Sequence, residues 1–388
     1  MDLKQLYYLL IFITSFFISC GDRKTTRHTN NQNSASNQMV NRDNFKTTIG
    51  SKQVDLYTLK NSNGVVVQIT NYGGKIVSII VPDKDGNFDD IVTGYDDIDG
   101  YVNGDNSFGA TIGRYGNRIA NGKFNLEGTE YTLAQNNGKN HLHGGLKNFS
   151  NAVWDVIEDE TKDNKLTLHY LSKDGEEGYP GNLEVRVVFT LSEKNELSID
   201  YHATTDKTTI VNLTNHSYFN LAGGNFEPIY GHELQISAKQ FVPGDKELIP
   251  LGELWDVVNT PMDFTKPTPI GQRINDEYDQ LKIGGGYDHT FVLDNDSGEL
   301  IKYAHVSEPM TGRIMECWTT EPGVQLYTAS HLNGSQVGKK GVKYRKHSAF
   351  CLETQHYPDS PNQPDFPSVK LTPNEMYKTT SIYKFGIL

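Results

Sequence analysis

The stretch LEVRVVFTL, from Leu183 to Leu191, places an apolar side chain at every second position, with mainly polar side chains between them. This period of two is typical of a β-strand that buries one face and exposes the other to water. The same alternation recurs in residues 166–171 (LTLHYL) and 197–202 (LSIDYH). The sequence around residue 183 therefore predicts several half-buried strands in succession.

Clusters of turn-forming residues separate the predicted strands along most of the chain, because Gly, Asn, Asp and Pro favour the backbone conformations of tight turns. These clusters are Asp85-Gly86-Asn87, Asn121-Gly122, Glu127-Gly128, Pro180-Gly181-Asn182 and Asp296-Ser297-Gly298. A helical period appears only briefly, and we expect short helical turns at residues 246–254 and 271–279. Many strands with few helices predict an all-β fold, a large antiparallel β-sandwich. Residues 46–388 contain no internal repeat or linker, so we expect them to form one domain.

The composition excludes several classes of protein. The 388 residues carry 36 Lys and Arg against 48 Asp and Glu, a formal net charge of −12. A nucleic-acid-binding protein would need a basic surface, so this acidic balance argues against that function. The three cysteines form no C-x-x-C pair, which excludes a zinc ribbon or a disulfide scaffold.

We expect residues 1–20 to be a lipoprotein-type signal peptide. Lys4 precedes an apolar stretch at residues 6–18, and Cys20 follows where the acylated cysteine of a bacterial lipobox would stand. Phe17 occupies the position where leucine is usual, and an ordinary secretory signal is the alternative interpretation. With Cys20 acylated, the protein would be lipid-anchored in the cell envelope, on the periplasmic or outer-membrane face.

Residues 21–45 are predicted to be a flexible polar tether. They are rich in Asn, Thr and Ser and have few apolar side chains to offset the entropy cost of ordering. An acidic domain gains no electrostatic attraction to an anionic membrane, so attachment would depend on the lipid.

Two histidine-containing segments are candidates for chemistry. His141 and His143 would lie on one face of an extended chain, where they could bind a metal or act in catalysis. No further ligand stands at a clear spacing, so metal binding remains only one interpretation. The second segment is Thr214 to Asn220, in which His216 follows a strand-like run and would sit among polar groups at a strand end.

Glu353 follows the apolar run Ala349-Phe350-Cys351-Leu352. A carboxylate beside such a run is costly to ionise unless it is paired, and buried carboxylates are more often structural than catalytic. Together with His216, however, Glu353 would offer an acid and a base in unlike environments, as acid–base chemistry at neutral pH requires.

Seven motifs occur in one order along the chain: residues 113–120 (GRYGNRIA), 142–145 (LHGG), 174–181 (DGEEGYPG), 214–221 (TNHSYFNL), 287–289 (YDH), 322–327 (PGVQLY) and 353–355 (ETQ). In this order they resemble the aldose 1-epimerase (galactose mutarotase) family. The resemblance extends from about residue 47 to the C-terminus.

The resemblance implies a β-sandwich with an open sugar-binding cleft and a cofactor-free reaction that interconverts the α and β anomers of free hexoses such as glucose and galactose. By position, Glu353 resembles the base that takes the proton from the C1 hydroxyl, and His216 the acid that protonates the ring oxygen. His143 would polarise the ring-oxygen side. The groups that would hydrogen-bond the sugar are Asn117, Arg118, Asp288 and Gln325.

Other interpretations remain open at this point. The fold could serve a hexose-6-phosphate epimerase, which would need more Lys or Arg around the cleft, or a surface protein that binds carbohydrate without catalysis. A metal-dependent enzyme using His141 and His143 is a third possibility, although the resemblance implies no metal. Cys317 and Cys351 could pair outside the cytosol, but a buried free thiol is the favoured interpretation of Cys351. We expect a monomer.

Overall fold

The computed structural model of the protein describes residues 35–295 and 297–388. The predicted signal peptide, Cys20 and residues 21–34 of the predicted tether lie outside this part of the chain. Among the described residues, no helix has the length and apolar character needed to span a membrane.

A nine-stranded antiparallel sheet, here the large sheet, contains the strand from which the sequence analysis started. Its strands, in spatial order, are Asp155–Val156, Lys165–Ser172, Leu183–Leu191, Glu196–Thr205, Tyr377–Ile387, Arg313–Thr319, Ile301–Glu308, Glu233–Ile236 and Thr268–Pro269. Leu183, Val187 and Leu191 are fully buried, whereas Glu184 on the other face is exposed. The predicted strands and their buried faces are therefore confirmed.

A five-stranded antiparallel sheet, here the cleft sheet, carries much of the candidate site. Its strands, in spatial order, are Trp255–Asp256, Gln240–Val242, Asp288–Val292, Gly323–Tyr327 and Cys351–Gln355. A four-stranded sheet consists of Leu56–Lys60, Val66–Thr70, Lys75–Pro82 and Phe88–Asp90. Two-stranded ladders pair Thr47–Ile49 with Lys52–Val54, Lys123–Leu126 with Thr129–Thr132, Arg118–Ile119 with His141–Leu142, Thr209–Ile210 with Lys370–Leu371, and Ala110–Ile112 with Thr214–His216.

One hydrophobic core joins the sheets. Leu168 and Val187 of the large sheet belong to the same buried cluster as Phe291, Leu326 and Leu352 of the cleft sheet. Because strand side chains alternate between faces, the neighbours of these core residues point to the opposite side of the cleft sheet. The all-β sandwich is thus confirmed, and its pleat directs polar side chains of the cleft sheet away from the core.

The helices are short. Within residues 35–295 and 297–388, the α-helices are Ile98–Asn103 and Asp279–Gly284, and the 3₁₀-helices are Ala35–Asn37, Arg42–Phe45, Ala120–Gly122, Phe149–Asn151, Glu158–Glu160, Glu176–Gly178, Ile229–Gly231, Ile270–Gln272, Lys339–Gly341 and Ser360–Asn362. The helical turn expected at residues 246–254 is wrong, because the Asp245 carboxylate accepts from the backbone N–H groups of Glu247 and Ile249 and holds a turn instead. The helical turn expected at residues 271–279 is present only at its two ends, which overlap the helices Ile270–Gln272 and Asp279–Gly284.

The predicted end of the tether at residue 45 is also wrong. Phe45 is fully buried, and the Val40 backbone forms hydrogen bonds of 2.8 and 2.9 Å with the Gln68 side chain. These two apolar side chains offset the cost of ordering a segment that is otherwise polar. The β domain therefore includes at least residues 35–45. Cys317 and Cys351 are buried free thiols and are not paired with each other.

Candidate active site

The candidate site lies on the face of the cleft sheet that points away from the core. The register pairs Thr290 with Gln325 and Gln325 with Glu353, so the period of two brings Asp288, Gln325 and Glu353 to one face. The short strand Thr214–His216 lies beside this sheet, and His216 Nε2 stands 3.6 Å from Glu353 Oε1. Both side chains are at least 95% buried, with exposed fractions of 5% and 2%.

A cleft of about 450 Å³ opens above this pair, a volume within the ordinary range of small-molecule sites. Its lining brings together six of the seven residues that the resemblance indicated: Asn117, Arg118, His143, His216, Asp288 and Glu353. The candidate site is therefore assembled from segments more than 230 residues apart in the chain, counting from 117 to 353.

Gln325 is placed differently from the expectation that it hydrogen-bonds the sugar. Its amide nitrogen donates to Asp288 Oδ1 at 2.6 Å, and its amide oxygen accepts from the Thr290 hydroxyl at 2.5 Å. It lines a small recess beside the cleft rather than the cleft itself. Because both ends of the amide have protein partners, Gln325 orients Asp288.

His143 is held by its backbone and by its ring. The chain takes a left-handed conformation at His143, and a Cβ on the next residue, Gly144, would lie 2.0 Å from the Gly113 carbonyl oxygen. The Asn117 N–H donates to His143 Nδ1 at 3.0 Å. A neutral imidazole that accepts at Nδ1 carries its proton on Nε2. Burial lowers the pKa of His143 well below its usual value, so His143 is a neutral donor.

His141 does not join His143 on one face of an extended chain, because the strand ends at Leu142 before the left-handed turn at His143. The His141 Nδ1–H donates to the Ala134 carbonyl at 2.7 Å, and Nε2 accepts from the Tyr179 hydroxyl at 2.7 Å. Both ring nitrogens are thus used by the buried structure. The interpretation of His141 and His143 as a metal or catalytic pair is wrong.

A different group of possible metal ligands lies in the cleft. One ligand atom each from His143, His216 and Glu353 lies within 4.8 Å of the others. A histidine that binds a metal through one nitrogen normally donates an N–H from the other. His143 Nδ1 instead accepts a backbone hydrogen bond, so its Nε2 carries a proton and is oriented as a donor. The hydrogen bonding around His143 therefore does not fit a metal ligand.

The electrostatic environments of His216 and Glu353 complement each other. Burial lowers the pKa of His216 to about 4, against the opposing effect of Asp105. Burial, with the negative charge of Asp288, raises the pKa of Glu353 well above its usual value, and Arg118 opposes this rise. His216 Nδ1 and Glu353 Oε2 have no hydrogen-bond partner in the structure. A buried pair with these opposite shifts holds a single proton across a wide pH range.

Arg118 and Asp288 place opposite charges at the cleft. The Arg118 Nε–H donates to Asn137 Oδ1 at 3.3 Å, and Arg118 makes no ion pair with a carboxylate of residues 35–295 or 297–388. Burial raises the pKa of Asp288, which Arg118 and the hydrogen bond from Gln325 oppose. A fork of guanidinium donors and a carboxylate acceptor can together bind adjacent hydroxyl groups.

The sequence analysis gave no role to four titratable residues that also line the cleft: Tyr218, Tyr327, Asp105 and His331. The Tyr218 ring stacks on the His216 ring at 4.8 Å between centroids and 9° between planes. Its position two residues after His216 in an extended segment could have indicated that it faces the same way. Nothing in the sequence marks Asp105 or His331, which meet only in the folded chain.

A carboxyl group and an imidazole in contact at the bottom of a cleft are the arrangement that general acid–base enzymes for small molecules use. The chain belongs to the aldose 1-epimerase family, whose model matches residues 55–384. It is an isomerase that interconverts the anomers of aldoses.

Relatives and solved structures agree with this membership. The chain is 44% identical to galactose mutarotase of Bos taurus over 87% of this chain and 96% of the relative. It is 35% identical to aldose 1-epimerase of Escherichia coli K12 over 85% and 94%. Its fold is similar to the crystal structure of an aldose epimerase homologue from C. elegans, with a TM-score of 0.78, 28% identity, and 86% and 99% of the two chains covered. A galactose 1-epimerase structure from Lactobacillus acidophilus NCFM gives a TM-score of 0.77 at 27% identity, covering 88% and 97%.

Proposed function

We propose that this enzyme interconverts the α and β anomers of free hexoses, glucose and galactose among them, with Glu353 as base and His216 as acid. The observation that carries the proposal is the contact of 3.6 Å between a buried imidazole and a buried carboxyl group at the bottom of the cleft, and the family resemblance assigns Glu353 as the base and His216 as the acid. The name of the Bos taurus relative, galactose mutarotase, supports a hexose substrate.

The proposed reaction moves two protons and changes no oxidation state. The Glu353 carboxylate removes the proton from the C1 hydroxyl while the His216 imidazolium protonates the ring oxygen. The bond between C1 and the ring oxygen breaks, giving the open-chain aldehyde with a hydroxyl at C5. After rotation about the C1–C2 bond, closure on the other face of the aldehyde returns both protons and gives the other anomer.

The pair of groups suits a reaction that must run in both directions. Before ring opening, the proton of the pair lies on His216, and after it on Glu353. Burial favours the uncharged arrangement, from which closure starts, and opening starts from the charged arrangement of the same one-proton pair, so neither direction needs a further proton. Two general acid–base groups, each contributing about 10²–10⁴ in rate, account for the catalysis without a cofactor.

The remaining cleft residues would hold the sugar. His143 presents its Nε2–H as a donor toward the ring-oxygen side, and its ring lies 5.3 Å from the His216 ring between centroids. Arg118 would donate to hydroxyl oxygens and Asp288 would accept from them, with Asp288 oriented by Gln325. Asn117 would support this side of the site. Its backbone N–H donates to the His143 ring, and its side-chain oxygen accepts from the Arg118 backbone N–H.

The alternatives are less well supported. Arg118 is the one Lys or Arg side chain among the described residues that line the cleft, so a phosphate group would meet few cations. A binding protein without catalysis would not need a buried acid–base pair with opposed pKa shifts, because hydroxyl recognition needs only hydrogen-bond partners.

The proposed function is tested by polarimetry on freshly dissolved α-D-glucose and α-D-galactose. We expect the enzyme to accelerate the approach to the equilibrium rotation for both sugars. Glucose 6-phosphate, measured in parallel, should be accelerated much less. A rotation that changes no faster than in buffer alone for both free hexoses would refute the proposal.

The pH dependence of kcat/KM provides a second test. We expect activity to fall only below about pH 4, where His216 and Glu353 are both protonated and the base is lost. On the alkaline side, activity should persist until the raised pKa of Glu353 is exceeded and the pair loses its last proton. An acidic limb near 6.5, the value of an exposed histidine, would contradict the buried one-proton pair.

We also propose that the protein is a lipid-anchored monomer of the cell envelope. The lipobox-like Cys20 and its preceding apolar stretch support the anchor. Mass spectrometry of the mature protein should find an acylated Cys20 at the N-terminus. An unmodified N-terminus downstream of Cys20 would refute the anchor, and a dimer in sedimentation would refute the monomer.

A further inference from the structure

The wall of the cleft beside His216 contains a hydrogen-bonded pair, Asp105 and His331, to which the proposed reaction gives no role. His331 Nε2 donates to Asp105 Oδ2 at 2.7 Å, and the Asp105 side chain is only 12% exposed. The Tyr327 hydroxyl hydrogen-bonds His331 Nδ1, and the His331 backbone N–H donates to the Tyr327 hydroxyl at 3.1 Å. These hydrogen bonds fix the His331 ring against the Asp105 carboxylate.

This unit is fixed in position. The Asp105 N–H donates to the Tyr95 hydroxyl at 2.7 Å, and Asp105 Oδ1 accepts from the Ser107 N–H at 2.9 Å. The adjacent carbonyl of Asn106 accepts from the ammonium of Lys75, which is fully buried. The loop that carries Asp105 is thus anchored before it enters the strand Ala110–Ile112.

The same unit adjoins His216. Ala110 is paired with His216 across two neighbouring strands, so the loop that carries Asp105 continues into the strand beside His216. The Tyr327 ring stacks on His331 at 14° between planes and is nearly perpendicular to the His216 ring, at 87°. The His216 ring therefore contacts both the parallel Tyr218 ring and the perpendicular Tyr327 ring.

We propose that Asp105 and His331 are positioning residues for the acid: the carboxylate, held by His331 and its loop, stabilises the imidazolium form of His216. The inference rests on the proposed function. The charged and titratable groups that line the cleft with His216 are the carboxyls of Glu353, Asp105 and Asp288, the bases His143, His331 and Arg118, and the hydroxyls of Tyr218 and Tyr327, whose rings contact His216. Among them, Asp105 raises the pKa of His216 and His331 lowers it, whereas the pKa of Glu353 responds to Asp288 and Arg118. Asp105 thus favours the acid form of His216 without an equal effect on the base.

The test is the pH profile of kcat for Asp105→Asn and His331→Gln. With the charge removed in Asp105→Asn, we expect kcat to fall about three- to tenfold and the acidic limb to move down by about 0.5–1 pH unit. His331→Gln keeps the carboxylate, so its acidic limb should not move to lower pH. Asp105→Ser is also neutral and keeps an acceptor for the Ser107 N–H. It replaces Asp105→Asn in this test if that variant does not fold.

The control is Glu184→Gln, which removes a carboxylate paired with a histidine, His169, on the exposed face of the large sheet. It should leave both kcat and the profile unchanged. The inference would be wrong if the acidic limb did not move in the neutral Asp105 variants, or if it moved equally in His331→Gln. Asp105 and His331 would then have only a structural role. A wild-type protein without anomerase activity would instead refute the proposed function, so the two failures are distinguishable.

Discussion

Replacing Glu353 by Gln should lower kcat by about 10²–10⁴. The amide has the shape of the carboxyl group but cannot accept the C1 proton. Because Glu353 lies in the cleft beside His216, with one oxygen unpartnered, the loss should fall on kcat much more than on KM. The measurement is polarimetric mutarotation at saturating sugar.

Thermal unfolding separates a catalytic loss from a folding defect. Burial raises the folded-state pKa of Glu353, so its ionisation destabilises the fold increasingly as the pH rises through that pKa. Glu353→Gln cannot ionise, and its melting temperature should equal or exceed that of the wild type at alkaline pH. The surface substitution Glu316→Gln is a matched control for kcat. Near-normal turnover of Glu353→Gln would show that another group is the base.

Replacing His216 by Asn should also lower kcat by about 10²–10⁴, because the amide can donate a hydrogen bond but cannot deliver a proton to the ring oxygen. The acidic limb of the pH profile should change in position as well, since it belongs to the pair formed with Glu353. Polarimetry across pH measures both effects.

His169→Asn, at a half-buried histidine of the large sheet outside the cleft, is the control for this substitution. It should retain wild-type turnover and an unchanged profile. If His216→Asn kept the wild-type kcat, His143 would be the remaining candidate for the acid. The neutral donor state of its buried ring makes that assignment less compatible with proton transfer.

The strands could be predicted from the sequence because each buries one face. Residues 183–191 alternate so regularly that both the element and its buried side followed from the pattern. Turns without such a period were harder to predict. At Asp245, a side-chain carboxylate captures the backbone N–H groups that a helix would have used, and residue composition alone does not distinguish these outcomes. The predicted boundary of the tether was wrong because the burial of two apolar side chains, Val40 and Phe45, is enough to dock a mainly polar segment onto the domain.

The candidate site could likewise be predicted from the sequence only in part. His143, His216 and Glu353 were indicated by local motifs and by the family resemblance, and the structure places them together. The left-handed turn that separates His141 from His143 is a backbone property that spacing does not show. Asp105 and His331 are 226 positions apart and become a pair only through tertiary structure, so no local pattern could have indicated them.

The central claim, that Glu353 and His216 act as one proton-sharing unit, is tested most directly by a double-mutant cycle. Saturation transfer between the α and β H1 resonances gives the exchange rate for the wild type, Glu353→Gln, His216→Asn and the double variant. Residues that act as a unit are strongly non-additive. We therefore predict that the double variant exchanges anomers about as slowly as the slower single variant. A double variant whose loss equals the product of the two single losses would contradict the account.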